Sequence, residues 1–101
     1  MQLIKNNGLD KIVFREGKEN TWEIFDIKVT SARRKGIGSS LVKEMIETVN
    51  PRIVYAFTRE KNELARAFYK ALNFKEILIP NFYEEGNAIM VIYENSLYRK
   101  I

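Results

Sequence analysis

The chain has 101 residues, 46% hydrophobic and 30% charged, with a net charge of +4, no cysteine and no histidine. That length suits one domain over residues 1–101 with a core of its own. The missing residues exclude disulfides, thiolate ligands, cysteine nucleophiles, Ser-His-Asp chemistry and most zinc sites, so no metal is expected. No apolar run approaches the ~20 residues a membrane span needs, and Met1–Asp10 lacks the regions of a signal peptide, which makes a cytoplasmic location the default.

In chain order, Met1–Lys5 and Lys11–Phe14 read as short strands and Trp22–Val29 as a longer one. A basic glycine turn follows, then a helix over Gly36–Val49 with Leu41, Val42, Met45, Ile46 and Val49 on one face, stopped by Asn50-Pro51. Ile53–Thr58 is a strand. Asn62–Leu72 is a helix whose stripe of Leu64, Phe68, Ala71 and Leu72 is the expected core face, and Asn73 suits a left-handed C-cap. Phe74–Ile79 and Ala88–Tyr93 are strands joined by a loop over Pro80–Asn87. The order β-β-β-α-β-α-β-β predicts an α/β sandwich with a mixed sheet. Strands 22–29 and 53–58 are linked through a helix, so they are expected to be parallel neighbours.

The charge is concentrated at the turn. Lys28, Arg33, Arg34, Lys35 and Lys43 lie between Asp26 and Glu44 with no acid among them, and these five cations exceed the net charge of the whole chain. A general nucleic-acid binder spreads its cations over a larger face with interleaved aromatics, so nucleic acid is not the expected partner. A strand, a glycine turn and a helix N-terminus beside cations form a cradle for phosphate. The turn does not fit a P-loop. It fails the dinucleotide pattern because Leu41 stands where the third glycine belongs. It does fit R-x-x-G-x-G, as Arg33-Arg34-Lys35-Gly36-Ile37-Gly38.

With this turn, the chain resembles the GNAT superfamily of acetyl-CoA-dependent N-acetyltransferases. Asn62-Glu63-Leu64-Ala65-Arg66-Ala67-Phe68-Tyr69-Lys70-Ala71-Leu72-Asn73-Phe74 is similar to the family's second helix, N-x-x-A-x-x-F-Y-x-x-x-G-F, with Asn73 in place of the usual glycine. The resemblance implies a mixed, mostly antiparallel GNAT-like sheet with two helices and splayed parallel central strands. It implies acetyl transfer from acetyl-CoA to a primary amine, of a small molecule or of a protein or peptide, by direct attack in a ternary complex. Arg33, Arg34, Lys35, Gly36, Ile37, Gly38 and Ser39 would hold the coenzyme A pyrophosphate. Ile27 and Val29 would offer backbone groups to the pantetheine arm and thioester, and Asn62 is an N-cap, a cofactor contact or both. Tyr69 would be the general acid for the departing thiolate, or else a packing tyrosine.

An alkylamine with a pKa of ~10.4 costs roughly 4.6 kcal/mol to present as free base at neutral pH. Glu23, six residues before Val29, stands where some family members carry a base. Simple alternation puts it on one face with Phe25, Ile27 and Val29, and Asp26 on the other; the alternative is a solvated strand-end charge. Glu84 and Glu85 are the other candidates, on a loop whose aromatics would hold a cationic amine or cover the core edge. Only about twenty residues precede Trp22, where the family carries further elements. That leaves an open acceptor cleft, or one completed by a second subunit in a homodimer, or a catalytically inactive module that keeps the fold for binding or regulation.

Overall fold

The computed structural model describes residues 1–5, 8–29 and 36–99. Six strands form one sheet in the order β1-β2-β3-β4-β6-β5. They are β1 (Gln2–Lys5), β2 (Asp10–Glu16), β3 (Thr21–Val29), β4 (Ile53–Arg59), β5 (Lys75–Tyr83) and β6 (Gly86–Glu94), with helix α1 (Ile37–Val49) before β4 and α2 (Glu63–Ala71) after it. Every pairing is antiparallel except β3 with β4, the two strands joined through α1. This is the expected element order, with its parallel central pair.

The core lies on one side of the sheet. Ile12, Phe14, Trp22, Ile24, Val54, Ala56, Ile89 and Val91 meet Leu41, Val42 and Met45 of α1 and Tyr69 of α2. The apolar face predicted for α1 is therefore the buried one. Its end is also as expected: Asn50 takes a left-handed φ of 46° immediately before Pro51. Asn73 likewise has a φ of 69°, the conformation a helix stop requires.

Of the stripe expected on α2, Phe68 and Leu72 pack against the core, whereas Leu64 and Ala71 are exposed and Tyr69 is buried in their stead. Leu64 is 78% exposed, while Tyr69 is only 8% exposed. Aromatic packing sets this face: Tyr69 sits 5.1 Å from Phe74, which sits 5.4 Å from Tyr93. A salt bridge fixes the outer side, with Arg66 Nε donating to Glu76 Oε2 at 2.9 Å and Nη2 to Oε1 at 2.9 Å. Arg66 Nη1 also donates to the Glu60 carbonyl at 2.8 Å, so one side chain joins α2 to β5 and to the end of β4.

The loop expected over 80–87 is instead a continued hairpin. β5 runs to Tyr83, β6 starts at Gly86, and only Glu84 and Glu85 form the turn. Pro80 is tolerated because β5 is the sheet edge, where a missing N–H breaks no ladder bond. Among the described residues no helix is long and apolar enough to cross a membrane.

Candidate functional site

β3 and β4 are in register only at Thr21↔Ile53, Trp22↔Val54 and Glu23↔Tyr55. Beyond that they part, and β3 itself changes register at the same point: Phe14 of β2 pairs with Ile24, but Val13 pairs with Asp26. Phe25 is therefore the extra residue of a β-bulge, which bends and twists the strand that carries it. The gap between the strands is a cleft of about 570 Å³, lined by Ile24–Ile27 and Val29 of β3, Phe57 and Thr58 of β4, Gly38 of α1, Asn62 just before α2, and Leu64, Ala65, Phe68 and Tyr69 of α2. That volume is within the usual range for a small-molecule site.

One wall of the cleft is backbone. Phe14 exchanges both of its backbone bonds with Met1, at 2.9 Å each, so it faces β1. Backbone groups alternate between the two edges of a strand. Val13 and Lys11 therefore face β3 and bond with Asp26 and Lys28. Ile27 and Val29 are out of phase with those two, so their N–H and C=O groups point toward the cleft, where no strand stands opposite.

The N-terminus of α1 adjoins the cleft. Its first intrahelical bond runs from the Ser40 N–H to the Gly36 carbonyl at 2.9 Å. The N–H groups of Ile37, Gly38 and Ser39 precede it and have no acceptor within the helix. Gly36 caps the helix with a left-handed φ of 67° and no side-chain bond, and no acid lies in the first turn. Unpaired amides at the positive end of the helix dipole favour an anion. Arg33, Arg34 and Lys35, the expected cationic part of the turn, lie outside the described residues. Backbone donors along one wall, helix amides nearby and apolar sides at Phe57, Leu64 and Phe68 suit an extended ligand that carries phosphate.

Residues 10–83 match the sequence profile of the FR47-like protein family. The chain is an FR47-like protein of the GNAT superfamily. Its fold is shared with Ard1 from Thermoplasma volcanium, at 26% identity and a TM-score of 0.73 over 85% of this chain and 62% of that one. It is also shared with the ribosomal-protein-S18-alanine N-acetyltransferase of Escherichia coli, at 23% identity and a TM-score of 0.76 over 98% and 70% of the two chains. A third neighbour, a GNAT family acetyltransferase from Elizabethkingia anophelis with acetyl-CoA bound, has 18% identity and a TM-score of 0.76 over 89% and 72%. The FR47-like chain spans 58% to 64% of the length of several other neighbours. No curated protein matches it by sequence.

In this FR47-like protein the predicted site residues divide. Ile27, Val29, Gly38, Asn62 and Tyr69 all line the cleft. Asn62 is the N-cap of α2, accepting from the Ala65 N–H at 3.1 Å. Tyr69 is packed edge-on against Phe68, with ring centroids 5.1 Å apart. Burial, with a contribution from the Asp26 charge, pushes its phenol up to about 12.

Glu23 is placed differently from the expectation. The extra residue at Phe25 inverts the alternation, so Glu23 shares a face with Asp26, opposite Ile27 and Val29. Its side chain is only 13% exposed and is held by Arg15, with Nη2 at 2.9 Å and Nε at 3.0 Å from Oε1. The Arg15 guanidinium also lies 4.8 Å from the centre of the Phe25 ring. Glu23 is not among the cleft-lining residues, and neither is Glu84 or Glu85. Asp26 is. The hairpin contributes aromatics: Phe82 stacks on Phe57 at 4.8 Å and Tyr83 lies under Arg59 at 4.1 Å.

Proposed function

We propose that this chain binds acetyl-CoA and transfers its acetyl group to a primary amine by direct attack in a ternary complex. The observation that carries this reading is the parting of β3 and β4 after Glu23, which leaves the backbone of Ile27 and Val29 facing a cleft lined by Tyr69. The acetyl-CoA-bound Elizabethkingia neighbour supports the donor, and the S18-alanine acetyltransferase supports a protein or peptide amine as one class of acceptor.

Each part of the cleft then has a task. The amides of Ile37, Gly38 and Ser39, with the charges of Arg33, Arg34 and Lys35, hold the pyrophosphate. Ile27 and Val29 hold the pantetheine arm through backbone bonds, and a backbone N–H there steadies the charge that develops on the carbonyl oxygen. The Asn62 side-chain oxygen is taken by the Ala65 N–H, which leaves its NH₂ group for the donor. Acetyl-CoA, when bound, supplies a thioester carbon open to attack. Tyr69 keeps its proton on Oη throughout the neutral range and can give it to the departing sulfur.

Isothermal titration with acetyl-CoA tests the donor, with a Kd on the order of micromolar expected; no heat at millimolar ligand overturns the reading. Coenzyme A release is then followed with free-N-terminus peptides, lysine peptides, spermidine and an aminoglycoside. The alternative is a binding module that keeps the fold without turnover. Tight acetyl-CoA binding with no acetylation of any of these amines is the result that selects it.

A further inference from the structure

The amine must lose a proton before it can attack, and the cleft offers one carboxylate for this, though not the expected one. Asp26 is exposed and lines the cleft. The bulge puts it there: with Phe25 inserted, Asp26 pairs with Val13 and its side chain shares the face of Arg15 and Glu23, away from both helices. Tyr69 reaches the same cleft from α2, on the helix side. The two groups are near enough for the charge of one to act on the other. Glu23, by contrast, is covered by Arg15 and lies off the cleft.

We infer that Asp26 is the carboxylate that receives the acceptor amine and takes its ammonium proton; this rests on the acetyltransferase reading above. The amine then enters on the helix-free face while Tyr69 faces the donor sulfur from the helix side, so the two proton transfers occur on opposite sides of the acetyl group. The nitrogen loses one proton and keeps the electron pair of that N–H bond as the lone pair that attacks the thioester carbon. The carboxylate gains that proton and passes it to water at the open mouth of the cleft. After attack the nitrogen sheds a second proton to water, and Tyr69, having protonated the departing sulfur as the carbon–sulfur bond breaks, regains its proton from water. The neighbouring charges on β2 and β3 are Lys11, Arg15, Glu23 and Lys28, and Arg15 is already engaged by Glu23. The negative charge of Asp26 thus also selects for a cationic acceptor. Phe25 and Phe57 flank the cleft as apolar surface for the carbon chain that bears the amine.

The test compares Asp26→Asn, Asp26→Glu and Glu23→Gln in the full chain, with acetyl-CoA and whichever amine of the panel the unaltered protein acetylates best. Asp26→Asn is expected to lower kcat at pH 7 by 30-fold or more, with the Kd of acetyl-CoA unchanged within twofold. The deficit should shrink as pH rises from 7 to 9.5, because solution then supplies the free amine. Asp26→Glu should recover part of the rate, and Glu23→Gln should stay within threefold. A readout independent of turnover is the Tyr69 phenol, followed by NMR of ring-labelled tyrosine, which should titrate at lower pH in Asp26→Asn. An Asp26→Asn rate within threefold of the unaltered protein, a deficit that does not change with pH, or a larger loss in Glu23→Gln overturns the assignment alone. An unaltered protein that acetylates no amine overturns the acetyltransferase reading, and this assignment with it.

Discussion

Gly38 on α1 and Phe68 on α2 meet at the edge of the cleft. A Cβ on Gly38 would stand 3.0 Å from Phe68 Cε1, 3.3 Å from Cζ and 3.7 Å from Cγ2 of Val29. The second glycine of the turn motif therefore lets two helices approach each other beside a β3 residue whose backbone faces the cleft. The Phe68 ring is itself packed edge-on against Tyr69, so a shift of one ring bears on the other.

Gly38→Val is accordingly expected to destabilise the fold by about 1–3 kcal/mol, the usual cost of forcing extra carbon into a packed contact. Gly38→Ala sets that crowding against a helix-propensity gain of up to about 1 kcal/mol, so its melting temperature should move little. Its acetyl-CoA affinity should still fall, because Phe68 and Tyr69 are displaced together. Thermal melts paired with isothermal titration separate the two effects; an unchanged affinity in Gly38→Ala would mean the ring contact does not shape the site.

Gly36 is needed for a different reason. Nothing lies within 4 Å of the Cβ it lacks, but its φ is +67°. Gly36→Ala is expected to cost about 1–2 kcal/mol in urea denaturation, all of it from backbone conformation. Gly36→Asn should recover part of that loss, because asparagine tolerates the left-handed region. Equal costs for the two substitutions would point to a steric cause instead.

What could be read from the chain alone follows the range of the interactions involved. Gly36, Asn62 and Asn73 take their conformations or bonds from the backbone within a turn of themselves and are legible in spacing, whereas Gly38 is legible only as part of the turn pattern, since its contact with Phe68 joins two helices. The buried face of α1 was legible because Leu41, Val42 and Met45 follow the helical period. The bulge at Phe25 was not, because it exists only through the register of β3 against Val13 and Phe14, and that single residue puts Glu23 and Ile27 on opposite faces. The exposure of Leu64 is hidden for a related reason: the face α2 buries is chosen by Phe74 and Tyr93, which come later in the chain. The Glu84-Glu85 turn lacks the Asn-Gly or Asp-Gly pair that marks a short hairpin, so the extended strands around Phe82 were hidden.

The Arg66–Glu76 pair predicts a pH effect at low pH. The hydrogen bond from Arg66 holds the Glu76 carboxyl below the usual carboxylate range. A lowered folded-state value gives stability that is present above the unfolded pKa and lost as pH falls through the folded one. The melting temperature of Glu76→Gln should therefore lie below that of the unaltered protein at pH 7, and the gap should close as pH is taken below 4. Both groups are near the surface, so 1 M salt should narrow the gap at pH 7 as well. A gap that stays constant from pH 7 to 3 would show that the pair acts through packing alone.

Tyr69 predicts the opposite behaviour at high pH. Its folded-state value of about 12 lies above the ordinary 10.0, with burial as the first cause and the Asp26 charge as the second. Between those two values the unfolded chain releases the phenol proton while the folded chain keeps it. The unfolded state then binds fewer protons, so stability falls as pH rises. A shift of about two units corresponds to about 3 kcal/mol, fully present below pH 10 and lost by about pH 12. Tyr69→Phe has no such proton, so its unfolding free energy should fall less steeply over that interval, and the difference between the two curves isolates Tyr69 from the other tyrosines and the lysines. The same substitution should lower kcat by about 10²-fold or more at pH 7 while leaving acetyl-CoA affinity nearly intact, because the ring still packs on Phe68 and Phe74 and only the proton donor is gone. Parallel stability curves would mean the phenol is not held neutral by burial, and an unchanged kcat would remove it from the acid role.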